Sequence, residues 1–281
     1  MSHIAILTDS SAYLPPDMLA RYDINVIPLK VHWGEETFLD GVDITPVEFY
    51  TRLRTNFVLP TTSQPSIHDF LQAFERLASQ YEGIVVPLIS SGISGTVASA
   101  QAAAIEFKKV PVEIVDTHST SAGLALVVLA AARAVEQGYS LPEVTKIAQN
   151  TAQKLHLFFA VDTLKYLHKG GRIGSASRYV GSALNIKPLL FFDEKGKIDT
   201  LERVRTKRQA LTRLLNLVEE KAGNRPIHAG VFHANALEEA TEFQTRLAEC
   251  LSCDELHIVE LSPVIGTHVG PGTIGVAFYV E

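Results

Sequence analysis

The residues with the clearest chemical potential form a hydroxyl-rich turn, residues 90–96, between an apolar run and an alanine-rich stretch. Residues 84–89 have the length and composition of a strand, and a helix is predicted to start close to Ser94. Such a helix points its free amide groups and the positive end of its dipole out of the turn. The hydroxyls of Ser91, Ser94 and Thr96 surround the same point. The pattern therefore predicts a small anion site.

The sequence of this turn also limits which anion fits. It lacks the Gly-Lys-Ser/Thr ending of a nucleotide P-loop, so the motif supplies no lysine for terminal phosphates and no hydroxyl for magnesium. It is also not the GxGxxG of a dinucleotide fold. A carboxylate or a single phosphate fits better. A structural alternative stays open, in which the serines only satisfy the backbone at the start of their own helix.

A serine hydrolase is a second alternative, with Ser94 as nucleophile and Asp116 and His268 following in the right chain order. A nucleophile elbow requires glycine two residues after the serine. Here Gly95 follows Ser94 directly and Thr96 comes next. The motif therefore disfavours the hydrolase without removing it from consideration.

The second half of the chain contributes two more candidates, Arg172 and His268. Arg172 lies in the glycine-rich loop 169–174, where a backbone can approach a ligand and a guanidinium offers planar donors for a carboxylate or phosphate. His268 lies in the glycine- and proline-rich segment 262–275, which we interpret as a loop that aims the imidazole. A surface arginine and a structural histidine are the alternatives.

Strands and helices must bring these residues together, and the pattern of the N-terminal half indicates how. Three predicted strands end in turns rich in Asp, Ser and Thr, at residues 9–11, 90–96 and 116–121. In an open parallel sheet the carboxyl ends of the strands share one edge, where ligands bind. Strand Ile24 to Val31 contains Pro28 and is expected near an edge of its sheet.

The sequence predicts an α/β protein of two domains, residues 1–155 and 156–281. Strands and helices alternate in the first domain, which favours a mainly parallel sheet with flanking helices. In the second, the segment 193–196 is a hairpin signal between two strands, which favours a mixed or antiparallel sheet covered by helices. A helix is also predicted over residues 177–184.

Composition excludes several classes of partner. The net charge of −6 and the pI of about 5.9 argue against a nucleic-acid surface. The longest apolar run, residues 122–132, is too short to cross a bilayer and is interpreted as a buried helix. No signal peptide is expected at the start of the chain.

Cys250 and Cys253 are expected to be free thiols of a cytoplasmic protein. The spacing of the histidines predicts no metal site, and no cofactor is expected.

Several blocks, taken in order and spacing, resemble the DegV family of bacterial fatty-acid-binding proteins. The resemblance covers essentially the whole chain, and a series of blocks is more specific than any one of them. The blocks are residues 9–15, 62–66 (Thr-Ser-Gln-Pro-Ser), 89–96, 164–173 with its Lys-Gly-Gly-Arg-Ile, 185–188, and 270–272 with Gly275.

This resemblance implies a function and a set of site residues. In the family, a fatty acid lies in an apolar tunnel, and its carboxylate contacts would correspond here to Thr62, Ser94 and the amide of Gly95. Some members present the carboxylate to a separate kinase subunit, which makes an acyl phosphate for phospholipid synthesis. The residues implicated in phosphotransfer or partner engagement match Arg172 and His268. The resemblance thus implies a lipid-binding subunit that is not itself an enzyme, or a lipid sensor or buffer without a kinase partner.

Overall fold

The computed structural model describes residues 4–56, 58–179 and 187–280. Three sheets and their helices form the described structure. The strands are β1 Ile4–Asp9, β2 Ile24–Ile27, β3 Lys30–Trp33, β4 Glu36–Leu39, β5 Thr61–Ser63, β6 Gly83–Leu88, β7 Val112–Asp116, β8 His156–Ala160, β9 Lys187–Phe192, β10 Ile198–Val204, β11 Ile227–His233, β12 Cys253–Glu260 and β13 Ile274–Val280. The α-helices are α1 Pro16–Arg21, α2 Pro46–Thr55, α3 Ile67–Ala78, α4 Thr96–Glu106, α5 Ser121–Glu136, α6 Leu141–Lys154, α7 Lys165–Lys169, α8 Lys207–Ala222, α9 Leu237–Cys250 and α10 Pro263–Val269.

The first sheet is parallel, with the strand order β2-β1-β6-β7. Its strands are apolar on both faces because helices cover both: α5 and α6 pack on one face, and α3 and α4 pack on the other. The three hydroxyl-rich turns follow β1, β6 and β7, which are neighbours, so the prediction that these turns share one edge is confirmed.

Pro28 ends β2 at the edge of this sheet, as expected, but the strand does not continue through Val31. Since proline cannot donate to a strand ladder, the chain leaves the sheet there and starts β3 in another sheet. That small antiparallel sheet has the order β4-β3-β5. Strand β5 of this small sheet lies between Pro60 and Pro65, where no strand was predicted.

The large sheet of the C-terminal half is mixed, as predicted. Its order is β10-β9-β8-β13-β11-β12, and only the β11–β12 pair among its described pairs is parallel. The predicted hairpin joins β9 to β10. Side chains that alternate along β8 face opposite ways: Phe158 packs with α8 and α9, whereas Leu157 and Phe159 pack toward the N-terminal elements.

One further local prediction was wrong, and another is tested only over its first residues. The segment 262–275 is not all loop, because Ser262 accepts a hydrogen bond from the Ile265 amide and Pro263 occupies the first turn of helix α10. His268 therefore lies on a helix. The first residues of the helix predicted over residues 177–184 lie in a 3-10 helix, Gly174–Tyr179. Residues 180–184 lie outside the described part of the chain, as do the first two residues of the 185–188 block.

The apolar run at residues 122–132 lies inside α5 and is fully buried, so its interpretation as a core helix is confirmed. Within the described ranges, no helix is both long and apolar enough to cross a membrane. Cys250 and Cys253 are free thiols.

Candidate functional site

A cavity lies where the end of the parallel sheet, the small sheet, α10 and the mixed sheet meet. Its volume, with the opening to solvent, is about 700 Å³. One face of the mixed sheet forms an apolar wall through Phe159 of β8, Phe192 of β9, Ile198 of β10 and Phe232 of β11. Further aliphatic side chains come from α10 and from the loop after β6. A cavity with this lining suits an apolar small molecule.

Four polar side chains that sequence analysis singled out also line this cavity: Thr62, Ser94, Arg172 and His268. They come from β5, the turn before α4, the loop after α7 and the last turn of α10. Side chains from segments that are far apart in the sequence therefore meet on one mostly apolar cavity, where they form a polar region.

Thr62 and His268 form the central pair of this region. The Nε2 atom of His268 lies 2.8 Å from Oγ1 of Thr62, although 206 positions separate the two residues. Nδ1 of His268 is buried and has no partner among the described residues, and it lies against Gly170, where a Cβ would be 2.2 Å from it. We therefore assign the imidazole proton to Nε2, which donates to Thr62 and leaves the threonine hydroxyl free to donate to a ligand.

The electrostatic surroundings of His268 favour the neutral imidazole. Burial, and then the positive charge of Arg172, lower the pKa of His268 from 6.5 to about 4. At neutral pH the ring carries no charge, and the cationic group of the region is the guanidinium of Arg172. A bound anion would offset both effects, because it supplies the negative charge that the site lacks.

Ser94 is likewise positioned by contacts with a neighbouring residue, Thr96. Its Oγ lies 2.8 Å from Oγ1 of Thr96, which is completely buried, and it accepts a 3.3 Å hydrogen bond from the Thr96 amide. Gly95 is the N-cap of α4, so its amide belongs to the turn whose N–H groups lack intrahelical partners. When Thr96 donates to Ser94, the serine hydroxyl can donate to an anion in front of the helix.

Arg172 is exposed on the outer side of the site and is fixed by two backbone carbonyls. Its Nε donates to the carbonyl of Ile93 at 3.1 Å, and its Nη1 donates to the carbonyl of Gly170 at 2.7 Å. The first bond places the guanidinium beside the turn that carries Ser94. The remaining N–H groups of the guanidinium can face an anion.

Gly95 is not among the residues that line the cavity, and neither is the first hydroxyl-rich turn. Asp9 instead has a structural role: its carboxylate is fully buried and accepts hydrogen bonds from the Ile89 amide and from the amide and hydroxyl of Ser11. Burial nonetheless raises the pKa of Asp9. Of the three hydroxyl-rich turns, those after β6 and β7 thus contribute residues to the cavity lining.

The arrangement does not form the relay of a serine hydrolase. His268 pairs with Thr62, and the hydroxyl partner of Ser94 is Thr96. The carboxylate of Asp116 accepts hydrogen bonds from the amides of Ser91 and His118 and lies 3.3 Å from Nε2 of the His118 ring. Within the described residues, nucleophile, base and acid are therefore each engaged elsewhere.

Four polar residues of the lining had no role predicted from the sequence: Ser63, Gln64, Thr120 and Ser121. Their signals were present, since Ser63 and Gln64 belong to the Thr-Ser-Gln-Pro block and the other two to the turn after β7. The apolar wall that the mixed sheet contributes was not predicted either. Alternation of apolar side chains along a strand indicates which face points inward, but it does not indicate whether that face packs against protein or lines a cavity. In the part of the chain that the structure describes, no group of three His, Cys, Asp or Glu side chains could hold a metal ion.

Comparison with known proteins gives a consistent result. The family model "Uncharacterised protein, DegV family" matches residues 3–281. Protein DegV of Bacillus subtilis is 35% identical over 278 residues, which are 98% of this chain and 99% of that protein. A solved DegV family protein from Thermus thermophilus, described for fatty acid binding, has a TM-score of 0.93 at 33% identity, covering 99% of this chain and 100% of that one. The crystal structure of DegV, a fatty acid binding protein from Bacillus subtilis, has a TM-score of 0.92 at 34% identity with full coverage of both chains.

Proposed function

This chain belongs to the DegV family, and we propose that it binds a fatty acid, as the solved relatives from Thermus thermophilus and Bacillus subtilis are described to do, and that its fatty acid is a long-chain one. In this proposal the hydroxyls of Thr62 and Ser94 and the amide of Gly95 hold the carboxylate. The hydrocarbon tail occupies the apolar part of the cavity. The protein would lie in the cytoplasm, with residues 1–155 and 156–281 as its two domains and the ligand between them.

One observation supports the proposal most: polar side chains from four distant segments meet on a cavity whose other walls are mainly apolar. A carboxylate needs donors and positive potential, which two hydroxyls, a helix N-terminus and Arg172 supply without a metal. The tail needs only apolar surface, and each buried methylene contributes about 0.8 kcal/mol. The two parts of the cavity thus match the two parts of a fatty acid.

A titration of the purified protein with oleate by isothermal calorimetry tests this function. We expect saturation at about one oleate per chain, and weaker binding of oleyl alcohol, which has the same tail without the charge. Equal affinity for the acid and the alcohol would contradict a carboxylate site at Thr62 and Ser94. Absence of binding to both would contradict the fatty acid function itself.

We further propose that a separate kinase subunit phosphorylates the bound carboxylate, with Arg172 and His268 acting in phosphotransfer or partner engagement. Two features support this division. The sequence offers no P-loop motif for ATP, and the exposed guanidinium of Arg172 lies at the outer side of the site, where a transferred phosphoryl group would need positive charge. On this proposal the chain is a lipid-binding subunit and has no catalytic residue of its own.

The competing proposal is a lipid sensor or buffer without a kinase partner. Reconstitution of the loaded protein with a fatty acid kinase from the same organism and ATP separates the two, because only the first yields acyl phosphate, which hydroxylamine traps. In that assay Arg172→Ala and His268→Ala should lower phosphate transfer more than fatty acid retention. Equal loss of both functions would contradict the separate role of these two residues.

A further inference from the structure

We propose that the hydroxyls of Thr120 and Ser121 form a second polar subsite in the cavity, which takes an oxygen atom carried on the acyl chain. The preferred ligand class is then a long-chain fatty acid with a hydroxyl group along its tail. The inference rests on the proposed fatty acid function and adds to it the chemistry of the tail.

The two hydroxyls lie in the cavity lining without hydrogen bonds. Thr120 is 6% exposed and Ser121 is 1% exposed, and both line the cavity. Neither Oγ1 of Thr120 nor Oγ of Ser121 has a hydrogen-bond partner among the described residues. Buried hydroxyls are nearly always paired in folded proteins, so two adjacent unpaired ones on a cavity wall indicate that a ligand supplies the partner.

These hydroxyls also lie at the start of a long helix. Thr120 is the N-cap of the sixteen-residue helix α5, but its side chain does not cap the helix. Its hydroxyl is therefore not used by its own backbone, as an N-cap threonine would normally be. The first amides of α5 and the positive end of its dipole favour an electronegative atom at the same place.

The turn that carries them is anchored to the core. The Ser90 amide donates to the Ser119 carbonyl at 2.8 Å, and the Thr117 hydroxyl donates to the Leu88 carbonyl at 2.8 Å. Leu157 and Phe159 of the mixed sheet line the same cavity, so the subsite lies on the mainly apolar chamber rather than in solvent. It belongs to the turn after β7, whereas the proposed carboxylate contacts belong to β5 and the turn after β6.

The free energy of binding should differ between a plain acyl chain and one that carries a hydroxyl group. A methylene chain that displaces water from Thr120 and Ser121 leaves two desolvated hydroxyls without partners, which opposes binding. A hydroxyl on the chain can donate to one of them and accept from the other. The cavity should therefore favour the hydroxylated acid by about tenfold, the effect of one well-formed buried hydrogen bond.

The test is a competition assay against a fluorescent fatty acid, with stearate and a panel of hydroxystearates whose hydroxyl occupies successive chain positions. At least one hydroxystearate should bind the native protein about tenfold more tightly than stearate. The variants Thr120→Val and Ser121→Ala should lose this preference while they bind stearate at least as tightly as the native protein, which also shows that they fold. Ser91→Ala, an exposed hydroxyl outside the cavity lining, is the matched control and should keep the preference.

The outcomes separate this inference from the fatty acid function. If stearate binds and no hydroxystearate binds more tightly, or if the preference survives when Thr120→Val and Ser121→Ala are combined in one protein, the subsite is overturned and the fatty acid function stands. If Thr120→Val or Ser121→Ala abolishes stearate binding, the turn holds the carboxylate, and the subsite for a tail oxygen is also overturned. If neither acid binds the native protein, both proposals fail.

Discussion

At the scale of single residues, the site depends on hydroxyls that other groups hold in place. His268 contacts Thr62 at 2.8 Å, and Thr96 contacts Ser94 at 2.8 Å. Each ligand-facing hydroxyl thus has a neighbour that can donate to its oxygen and orient its proton toward the cavity. Such an arrangement costs little reorganisation when a carboxylate binds.

Removing either hydroxyl should weaken fatty acid binding. A hydrogen bond to a charged group contributes about 1.5 to 3 kcal/mol, so Thr62→Val and Ser94→Ala should each raise the Kd for oleate by roughly ten- to hundredfold. Thr61→Val is the control for the first variant, because it makes the same change on the same strand at an exposed neighbour. If Thr61→Val and Thr62→Val had equal effects, the carboxylate contact would be contradicted.

The titration of His268 gives a second prediction at this scale. Because burial and Arg172 lower its pKa to about 4, the imidazole of the empty protein should stay neutral down to about pH 4 in an NMR titration. A bound carboxylate should raise that pKa, and Arg172→Gln should raise it in the empty protein. An imidazole of the empty protein that titrates at its ordinary value of 6.5 would contradict this description of the site.

The sequence was sufficient to nominate Thr62, Ser94 and Arg172, because each belongs to a block whose order and spacing match the family, and His268, because it precedes the block at residues 270–272. It could not give their pairing. No local pattern indicates that Thr62 meets His268 across 206 positions, or that a backbone carbonyl fixes Arg172 beside the Ser94 turn. Those contacts depend on how three sheets pack, which is a property of the whole chain.

At the scale of elements, the β9–β10 hairpin closes one side of the cavity. Phe192 and Ile198, at its two sides, line the cavity. The hairpin is fastened by Ser90, whose hydroxyl donates to the Gly196 carbonyl at 2.7 Å. Gly196 has a φ of +67°, and a Cβ there would lie 2.0 Å from the Ser90 Oγ.

Gly196→Ala should therefore destabilise the fold and loosen the cavity. We expect its free energy of unfolding to fall by about 1 to 3 kcal/mol more than that of Gly34→Ala. Gly34 is the matched control, because its φ is +66° and a Cβ there would meet nothing within 4 Å. Urea denaturation measures the difference, and oleate affinity should fall in Gly196→Ala only. Equal stability losses in the two variants would mean that this contact does not fasten the hairpin.

The elements themselves were predicted unevenly, for identifiable reasons. The helix over residues 122–132 and the β9–β10 hairpin carry strong local signals, and the structure has both. Helix α10 was missed because glycine and proline dominate segment 262–275, although the Ser262 cap and Pro263 mark its first turn. Strand β5 was missed because three residues pair only through contacts with β3.

At the scale of the whole molecule, buried polar contacts join the two halves of the chain around the cavity. Asp40, after β4, accepts hydrogen bonds from Ser10 after β1 and from the Val264 amide of α10. Tyr50 of α2 donates to the Leu261 carbonyl at 3.2 Å. Helix α10, which carries His268, is therefore positioned by residues of the N-terminal half. The division at residues 155 and 156 stays a prediction.

Asp40 should give the fold a measurable pH dependence. Burial raises its pKa from 3.8 to about 7, so the folded protein keeps a proton that the unfolded chain releases near pH 4. The stability from this proton is complete below about pH 4 and is lost as the pH rises to about 7. The free energy of unfolding of Asp40→Asn, measured relative to the native protein, should therefore improve steadily across this range. A difference that is constant with pH would contradict a raised pKa at Asp40.

The measurement that tests the central claim most directly is native mass spectrometry of the purified, untreated protein, followed by identification of what organic extraction releases. If the chain binds a fatty acid as proposed, we expect about one fatty acid per chain, and we expect it to be absent from the variant in which Thr62 and Ser94 are both changed to alanine. The identity of the tail, plain or hydroxylated, would also bear on the Thr120 and Ser121 subsite. A protein that arrives empty and takes up neither oleate nor a hydroxystearate would contradict the account.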